Sequence, residues 1–320
     1  MARERSVRLA RRAQVADAAR PQAGLLTTYQ LRALGVTDNA MRAEIAGGRW
    51  SMARGRIVRI LAPGDGTAMT WWNALLQCSP RAVAAGCCTA AIGGLTSLLA
   101  AGMSGLSGDG LVHVAAPKSS RPLPALPGVR VHETRRWRDE DVVSDPIPRV
   151  RTPMAAVQAA LWARTDREAA LLLIAPVQQR LTTAREIGEA LEVVRRDRRR
   201  SLMRAVVGEL VDGVHSLNEL DFARLCRARG LPEPSRQAVV RTTSGRAYLD
   251  VRWSRWRVSV EIDGVGHLQV GQWLDDDARH NEIALTGDLL LHIPSLGLRL
   301  DPDRWLDLVE RALRLAGWRP

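Results

Sequence analysis

Hydrophobic and polar positions change period several times along the chain, and each change marks a predicted element. From Gly24 the sequence GLLTTYQLRALGVTDNAMRAEIAGGRW holds two short helical patterns separated by Gly35. Thr27 or Thr28 caps the first helix, in which Leu31 and Leu34 face inward at a spacing of three. Thr37 or Asp38 caps the second, which carries Met41 and Ile45 at a spacing of four and stops at Gly47-Gly48. Next, RWSMARGRIVRIL reads as two short extended pieces that turn at Arg54-Gly55-Arg56. Helix, glycine turn, helix and hairpin together predict a winged helix-turn-helix.

The middle of the chain mixes periods. LVHVAAP and GVRVHETR read as strands joined by the proline-rich loop SSRPLPALPG, and the stretch from Thr152 to Leu191 turns helical. The uncharged run from Ala82 to Gly108 is long enough to span a membrane. It is rich in Ala, Gly, Ser and Thr and is broken by Gly93-Gly94, so a buried helix or two is expected and no membrane contact. After Ser216, SLNELDFARLCRARGLP predicts a helix, QAVVRTTSGRAYLDVRW a hairpin turning at Ser244-Gly245, and WRVSVEIDG a strand. In that strand Val258, Val260 and Ile262 share one face and Ser259, Glu261 and Asp263 the other, a pattern apolar enough for a central position. The expected fold class is α/β in an α+β multidomain arrangement. Residues 1–65 form the winged helix-turn-helix, 66–208 an α/β and helical middle region, and 209–320 a third domain.

Charge sharpens this division. The 46 Lys plus Arg against 34 Asp plus Glu give +12, and all but Lys118 of the basic residues are arginine. Residues 1–208 carry +14 and residues 209–320 carry −2. Arginine offers planar bidentate donors for phosphate, so the basic part points to nucleic acid. The densest cluster, RRDRRR from Arg195 to Arg200, reads as a solvated helix face, with phosphate contact as the alternative. Cys78, Cys87, Cys88 and Cys226 form no C-x-x-C pair and stand at no zinc spacing, which fits reduced thiols and a cytoplasmic protein.

Two sets of side chains carry candidate chemistry. In a winged helix the second helix enters the major groove and the wing lies on the backbone. Asn39, Arg42 and Arg49 would then point at DNA, with Arg54, Arg56 and Arg59 nearer phosphates. Winged helices also serve as protein-interaction modules. In the C-terminal third, Glu261 and Asp263 on one strand face and Asp250 on the neighbouring strand would repel one another unless protonated or bridged by a hard divalent cation. Glu219 also stands at the N3 position of a capping box with Ser216. His113 and His132 are isolated in sequence and read as structural or exposed polar residues.

The run from Gly24 to Leu61 resembles the N-terminal winged helix of the AbiEi-type antitoxins, which implies DNA binding as a transcriptional autorepressor. Residues 216–318 resemble a restriction-endonuclease-like domain of unknown function in the PD-(D/E)xK superfamily, related to very-short-patch-repair (Vsr) endonucleases. That resemblance rests on SLNELDF, YLDVRW, EIDGVGHL, the W-x-x-D-x-x-R-x-N pattern at Trp273, Asp276, Arg279 and Asn281, and the terminal helix WLDLVERALRLAGW. It implies an αβββαβ core in which Asp250, Glu261 and the carbonyl of Ile262 ligate Mg²⁺ or Mn²⁺, with Glu219 reaching the metal directly or through water. Asp263 stands where the superfamily has lysine, so His267 becomes the proton acceptor or donor. Arg279 pairs with Asp276 or stabilises the phosphate in the transition state. His292 stands where relatives commonly have arginine.

Two functional readings follow from these resemblances. One is a Mg²⁺-dependent DNA endonuclease acting in phage defence or mobile-element control, or in repair of mismatched or branched DNA. The other is a non-enzymatic regulator or antitoxin whose nuclease-like domain is a remnant. DNA is the expected partner, and a cognate toxin and a second copy of the chain are further candidates.

Overall fold

The computed structural model of the 320-residue chain describes residues 2–61, 66–80, 89–106, 108–118, 125–144, 147–212, 219–242, 245–263, 287 and 289–319. Contacts divide the chain into two compact units. One comprises residues 1–163 and 175–195, the other residues 164–174 and 196–320. Both belong to a mixed α/β architecture with several sheets.

The first unit begins with α1 (Ala2–Ala19), which a 3-10 turn at Arg20–Gln22 connects to β1 (Leu25–Thr27). The reversal uses positive φ at Ala23 and Gly24, and at Gly24 a Cβ would stand 3.0 Å from Leu61 Cβ, so only glycine fits without a shift. Thr27 caps α2 (Thr28–Ala33) in a capping box. Its Oγ1 accepts from Gln30 N at 3.1 Å, and Gln30 Oε1 accepts from Thr27 N at 2.9 Å. Thr37 caps α3 (Asp38–Ala46), accepting from Ala40 N at 3.2 Å. β2 (Ser51–Met52) and β3 (Ile57–Arg59) follow, and the antiparallel sheet has the order β1-β3-β2. Leu26, Leu31, Val36, Met41, Trp50, Val58 and Ile60 close a core that also takes Val15 and Ala19 from α1. At about 1.5–3 kcal/mol for each large aliphatic or aromatic side chain buried, this core holds the last turns of α1 against the sheet.

The same unit continues with α4 (Gly66–Cys78), β4 (Ala91–Ile92), α5 (Gly94–Ala100), β5 (Val112–Pro117), β6 (Val129–Thr134), β7 (Val142–Ser144) and β8 (Pro148–Val150). Its second sheet has the order β6-β5-β4-β8-β7, with β5 and β6 parallel and β7 and β8 antiparallel. Leu25 and Ile57 enter the same core as Trp72, Leu75, Ile92 and Val114, which ties the expected segment 1–65 to the middle region. α5 packs on α6 (Thr152–Trp162), and its Ser97 Oγ donates to Val150 O of β8 at 2.5 Å. α7 (Asp166–Gln178), whose residues up to Ile174 belong to the second unit, and α8 (Ala184–Leu191) complete the helical stretch expected from Thr152 to Leu191. Among the described residues no helix is long and apolar enough to cross a membrane.

In the second unit α9 (Arg200–Asp212) and α10 (Glu219–Ala228) precede β9 (Ser235–Thr242), β10 (Gly245–Trp253) and β11 (Val258–Asp263). After these come β12 (Leu289–Pro294), α11 (Ser295–Leu300) and α12 (Pro302–Leu315). The sheet order is β12-β11-β10-β9, antiparallel except for the parallel pair β11 and β12. One face of this sheet is covered by helices, as Val251, Val258, Val260, Ile262 and Ile293 share a core with Phe222 and Cys226 of α10 and Leu306 and Val309 of α12. Arg229 links α10 to α12 through Asp303, Asp307 and Glu310. Glu209 of α9 is buried, with Oε2 accepting from Ser295 Oγ at 2.7 Å and Oε1 from Arg299 Nε at 2.9 Å. The basic run from Arg195 to Arg200, expected as a solvated helix face, lies in the turn leading into α9 instead; Arg195, Arg196 and Arg198 are exposed there, and Arg199 is not. That residue is 3% exposed and donates Nε to Asp166 at 2.9 Å, a partner 33 residues away that local charge density cannot reveal.

Candidate nucleic-acid interface and metal centre

Exposed arginines of the N-terminal segment fall into two groups. On α3 the cap at Thr37 fixes the first turn, and Asn39 and Arg42 stand exposed three residues apart. Asp38 beside them is engaged from behind by Arg32, whose Nε and Nη2 donate at 3.0 and 3.2 Å and hold the carboxyl below its usual range. The turn between β2 and β3 presents Arg54 and Arg56 to solvent, with Gly55 at φ 73. Arg56 lies over the Tyr29 ring at 5.4 Å, which stiffens the turn against α2.

Arg49 and Arg59 are placed differently. Arg49 turns back on α3, donating Nε to Glu44 Oε2 at 2.5 Å, while Arg12 of α1 donates Nε to Glu44 Oε1 at 2.9 Å. Burial works against the Glu44 charge, but the hydrogen bonds from Arg49 and Arg12 outweigh it and hold the carboxyl below the usual glutamate range. Arg59 is half-buried on β3, opposite Leu25 and Ser51 in the ladder. Asn39, Arg42, Arg54 and Arg56 are thus exposed, whereas Arg49 first serves to neutralise a buried carboxylate.

The carboxylates of the second unit are organised by strand register. β11 lies between β10 and β12, as its apolar alternation implies. Glu261 pairs with His292 across the parallel β11 and β12 ladder, and His292 Nδ1 lies 3.9 Å from Glu261 Oε2. On the other side Val260 pairs with Val251, and the register carried one residue further brings Asp250 of β10 opposite Glu261. Directly opposed residues share one face of a sheet, so His292 and Glu261 stand side by side on one face, and the continued register would place Asp250 next in that row. Asp263 falls on that face at the last position of β11, opposite Pro294. Glu219 lies in α10, whose Phe222 and Cys226 anchor the helix on the apolar face, and the capping box expected with Ser216 lies outside the described residues.

Ser259 and Glu261 are 0% and 5% exposed, so these two polar positions of β11 are buried, while the His292 side chain beside Glu261 is 35% exposed. A carboxylate buried to this degree needs a compensating charge or a proton. His267, Trp273, Asp276, Arg279 and Asn281 lie outside the described residues, as do Ser216 and the side chains of Glu219, Asp250 and Asp263. Among the described residues no group of three His, Cys, Asp or Glu side chains could hold a metal ion.

A further cluster was not visible in the sequence. His113 of β5 and His132 of β6, isolated along the chain, meet through the parallel ladder with Nδ1 and Nε2 3.0 Å apart, and Asp109 Oδ1 lies 3.2 Å from His113 Nε2. His132 stacks on Trp162 of α6 with ring centroids 3.6 Å apart, above Gly93-Gly94, where Gln158 Oε1 accepts from Gly94 N at 3.1 Å. Burial, then the charges of His113 and Arg130, push the His132 imidazole down to about 3, so it is neutral at pH 7. Cys78 and Cys226 are free, buried thiols pushed up by burial to about 11 and about 12, which suits packing and not nucleophilic chemistry.

No protein-family model matches the chain, and no curated protein matches it either.

Proposed function

We propose that the protein binds DNA through a winged helix-turn-helix at its N-terminal segment and that its C-terminal sheet is a restriction-endonuclease-like core hydrolysing DNA phosphodiester bonds with a divalent cation. The observation that carries the nuclease reading is the register of β10 and β11, which pairs Val251 with Val260 and, continued by one residue, would set Asp250 opposite Glu261. Like charges directly opposed on one face are destabilising. A hard cation between them turns that repulsion into ligation by oxygen donors, which is the donor chemistry Mg²⁺ and Mn²⁺ prefer. The sheet order, with three antiparallel strands and a parallel fourth, supports an αβββαβ core.

Asp250 and Glu261 would hold the cation, with Glu219 of α10 as a further donor. When bound, such a cation supplies Lewis-acid polarisation of the scissile phosphodiester. Asp263 cannot provide the positive charge of a lysine, so His267 takes the proton role and Arg279 the phosphate role. For DNA binding, the exposed Asn39 and Arg42 on the capped helix α3 and the exposed Arg54 and Arg56 of the hairpin support base-edge and backbone contacts respectively.

A non-enzymatic regulator is the second reading. It is favoured by the burial of Glu261 beside His292, which offers the carboxylate a partner from its own sheet. Thermal unfolding with and without Mn²⁺ separates the two. A metal centre requires that Mn²⁺ raise the melting temperature of the wild type and not of Glu261→Gln, and that Glu261→Gln melt no lower than wild type in chelator, where the repulsion is relieved. No Mn²⁺ effect on either protein, together with promoter retardation that depends on Arg42 and survives Glu261→Gln, would establish the regulator instead.

A further inference from the structure

Helix α1 continues well beyond the body that anchors it. Its inner stripe runs through Ala19, Val15, Arg12 and Arg8 at spacings of four, three and four. Val15 and Ala19 are fully buried in the core of the small sheet, and Arg12 reaches Glu44 of α3. Past Arg12 the burial ends: Ser6, Val7, Arg8, Leu9 and Ala10 are exposed whichever way they point round the helix. At 1.5 Å per residue, the portion from Ala2 to Arg12 extends about 15 Å from its last anchoring contact.

A helical segment of that length, exposed all round at the described residues 6–10, is marginal in water on its own. Its composition selects what would cover it. Arg3, Arg5, Arg8, Arg11 and Arg12 stand against a single acid, Glu4, giving residues 2–12 a charge of +4. The exposed Val7 and Leu9 are two residues apart, so they lie on nearly opposite sides of the helix and make no apolar seam. A second copy of the same helix would bring arginine against arginine, which leaves a polyanion as the complementary partner.

We infer that the projecting half of α1 is an arginine arm that binds the phosphate backbone of duplex DNA. The arm adds contacts outside those offered by α3 and the β2–β3 hairpin. Arg12 engages the buried side of α3 through Glu44, whereas Asn39 and Arg42 are exposed, so the arm would grip the flank of the duplex and not the base edges. This inference rests on the proposed DNA binding of the N-terminal segment. Contacts of this kind act through counterion release, are blind to sequence, and depend on charge more than on geometry.

The test measures binding of the full chain to a fluorescein-labelled duplex of mixed sequence as a function of salt, for wild type, Arg8→Gln/Arg11→Gln and Arg8→Lys/Arg11→Lys. Glutamine keeps helix propensity, so far-ultraviolet dichroism should be unchanged. At about 0.9 in slope per phosphate contact, the glutamine variant should lose about 1.8 from the slope of log affinity against log salt. Between about 50 and 200 mM salt the wild type should therefore lose about 12-fold more affinity than the glutamine variant. The lysine variant should keep the wild-type slope. An unchanged slope in the glutamine variant would overturn the arm, as would a dimer that becomes monomeric when residues 2–9 are removed. Failure of the wild type to bind duplex at any salt would instead remove the DNA-binding reading on which the arm depends.

Discussion

Substituting Glu44 by glutamine tests how the N-terminal segment holds together, because one buried carboxylate organises two arginines from different elements. Glu44 is 7% exposed and accepts Arg12 Nε at 2.9 Å and Arg49 Nε at 2.5 Å, joining α1 and the approach to β2 to α3. Hydrogen bonds to charged groups contribute about 1.5–3 kcal/mol each. Glutamine retains one acceptor, and the Arg12 and Arg49 side chains, 34% and 47% exposed, recover water when released. The net loss should then be about 2 kcal/mol, well below the about 3–5 kcal/mol of a fully buried broken pair. For a unit of this size that lowers the melting temperature by about 4–8 °C.

The loss should depend on pH in a defined direction. The folded carboxyl is held below its unfolded value, so its stabilisation is complete above the ordinary glutamate pKa of 4.5 and disappears as pH falls through the folded value. Thermal unfolding of wild type and Glu44→Gln followed by circular dichroism from neutral pH downward should show a gap that closes below 4.5. An equal melting temperature at pH 7, or a gap that does not narrow on acidification, would refute the reasoning. Because the substitution releases Arg49, affinity for duplex DNA of mixed sequence should hold or rise while stability falls.

Gly94→Ala places a Cβ 2.6 Å from the Trp162 ring at a residue with φ 50, so left-handed strain and overpacking add to a loss of about 2–4 kcal/mol, read by thermal unfolding. A stability equal to wild type would show that Trp162 does not lie over this turn. His132→Phe should keep the stack on Trp162 and flatten the acid limb of the stability curve. The His132 pKa is lowered from 6.5 to about 3, so wild type draws stability from its neutral ring above 6.5 and loses it as pH falls from 6.5 towards 3. Melting temperatures across that window that run parallel for the two proteins would count against a buried neutral His132.

The elements most legible in the sequence are those specified by neighbours. Thr27 and Gln30, or Thr37 and Ala40, are three residues apart, and the caps they form stand where the pattern places them. The hairpin about Gly55 and the apolar alternation of β11, central in its sheet, are equally local statements. Long-range pairings are a different matter. His113 and His132 meet because β5 and β6 are parallel neighbours, and Arg199 is buried because Asp166 approaches from a distant helix; neither follows from periodicity. Alternation in β11 separates Glu261 from Val260, but it does not reveal that Ser259 and Glu261 are buried, or that parallel pairing sets His292 beside Glu261. Arg49 shows the same limit within the DNA-binding candidates, since its type and position suit phosphate while its hydrogen bond goes to Glu44.

The central claim is that Asp250 and Glu261 hold a cation for phosphodiester hydrolysis, and nicking of supercoiled plasmid measures it most directly. Wild type, Asp250→Asn and Glu261→Gln, matched for folding by circular dichroism, would be incubated with the plasmid in Mg²⁺, in Mn²⁺ and in chelator. The account predicts open-circular product from the wild type in either metal, none in chelator, and a loss of at least about 100-fold in both variants, the scale on which removing a charged transition-state stabiliser acts. Equal background nicking by all three proteins, or nicking by the wild type that persists in chelator, would contradict it.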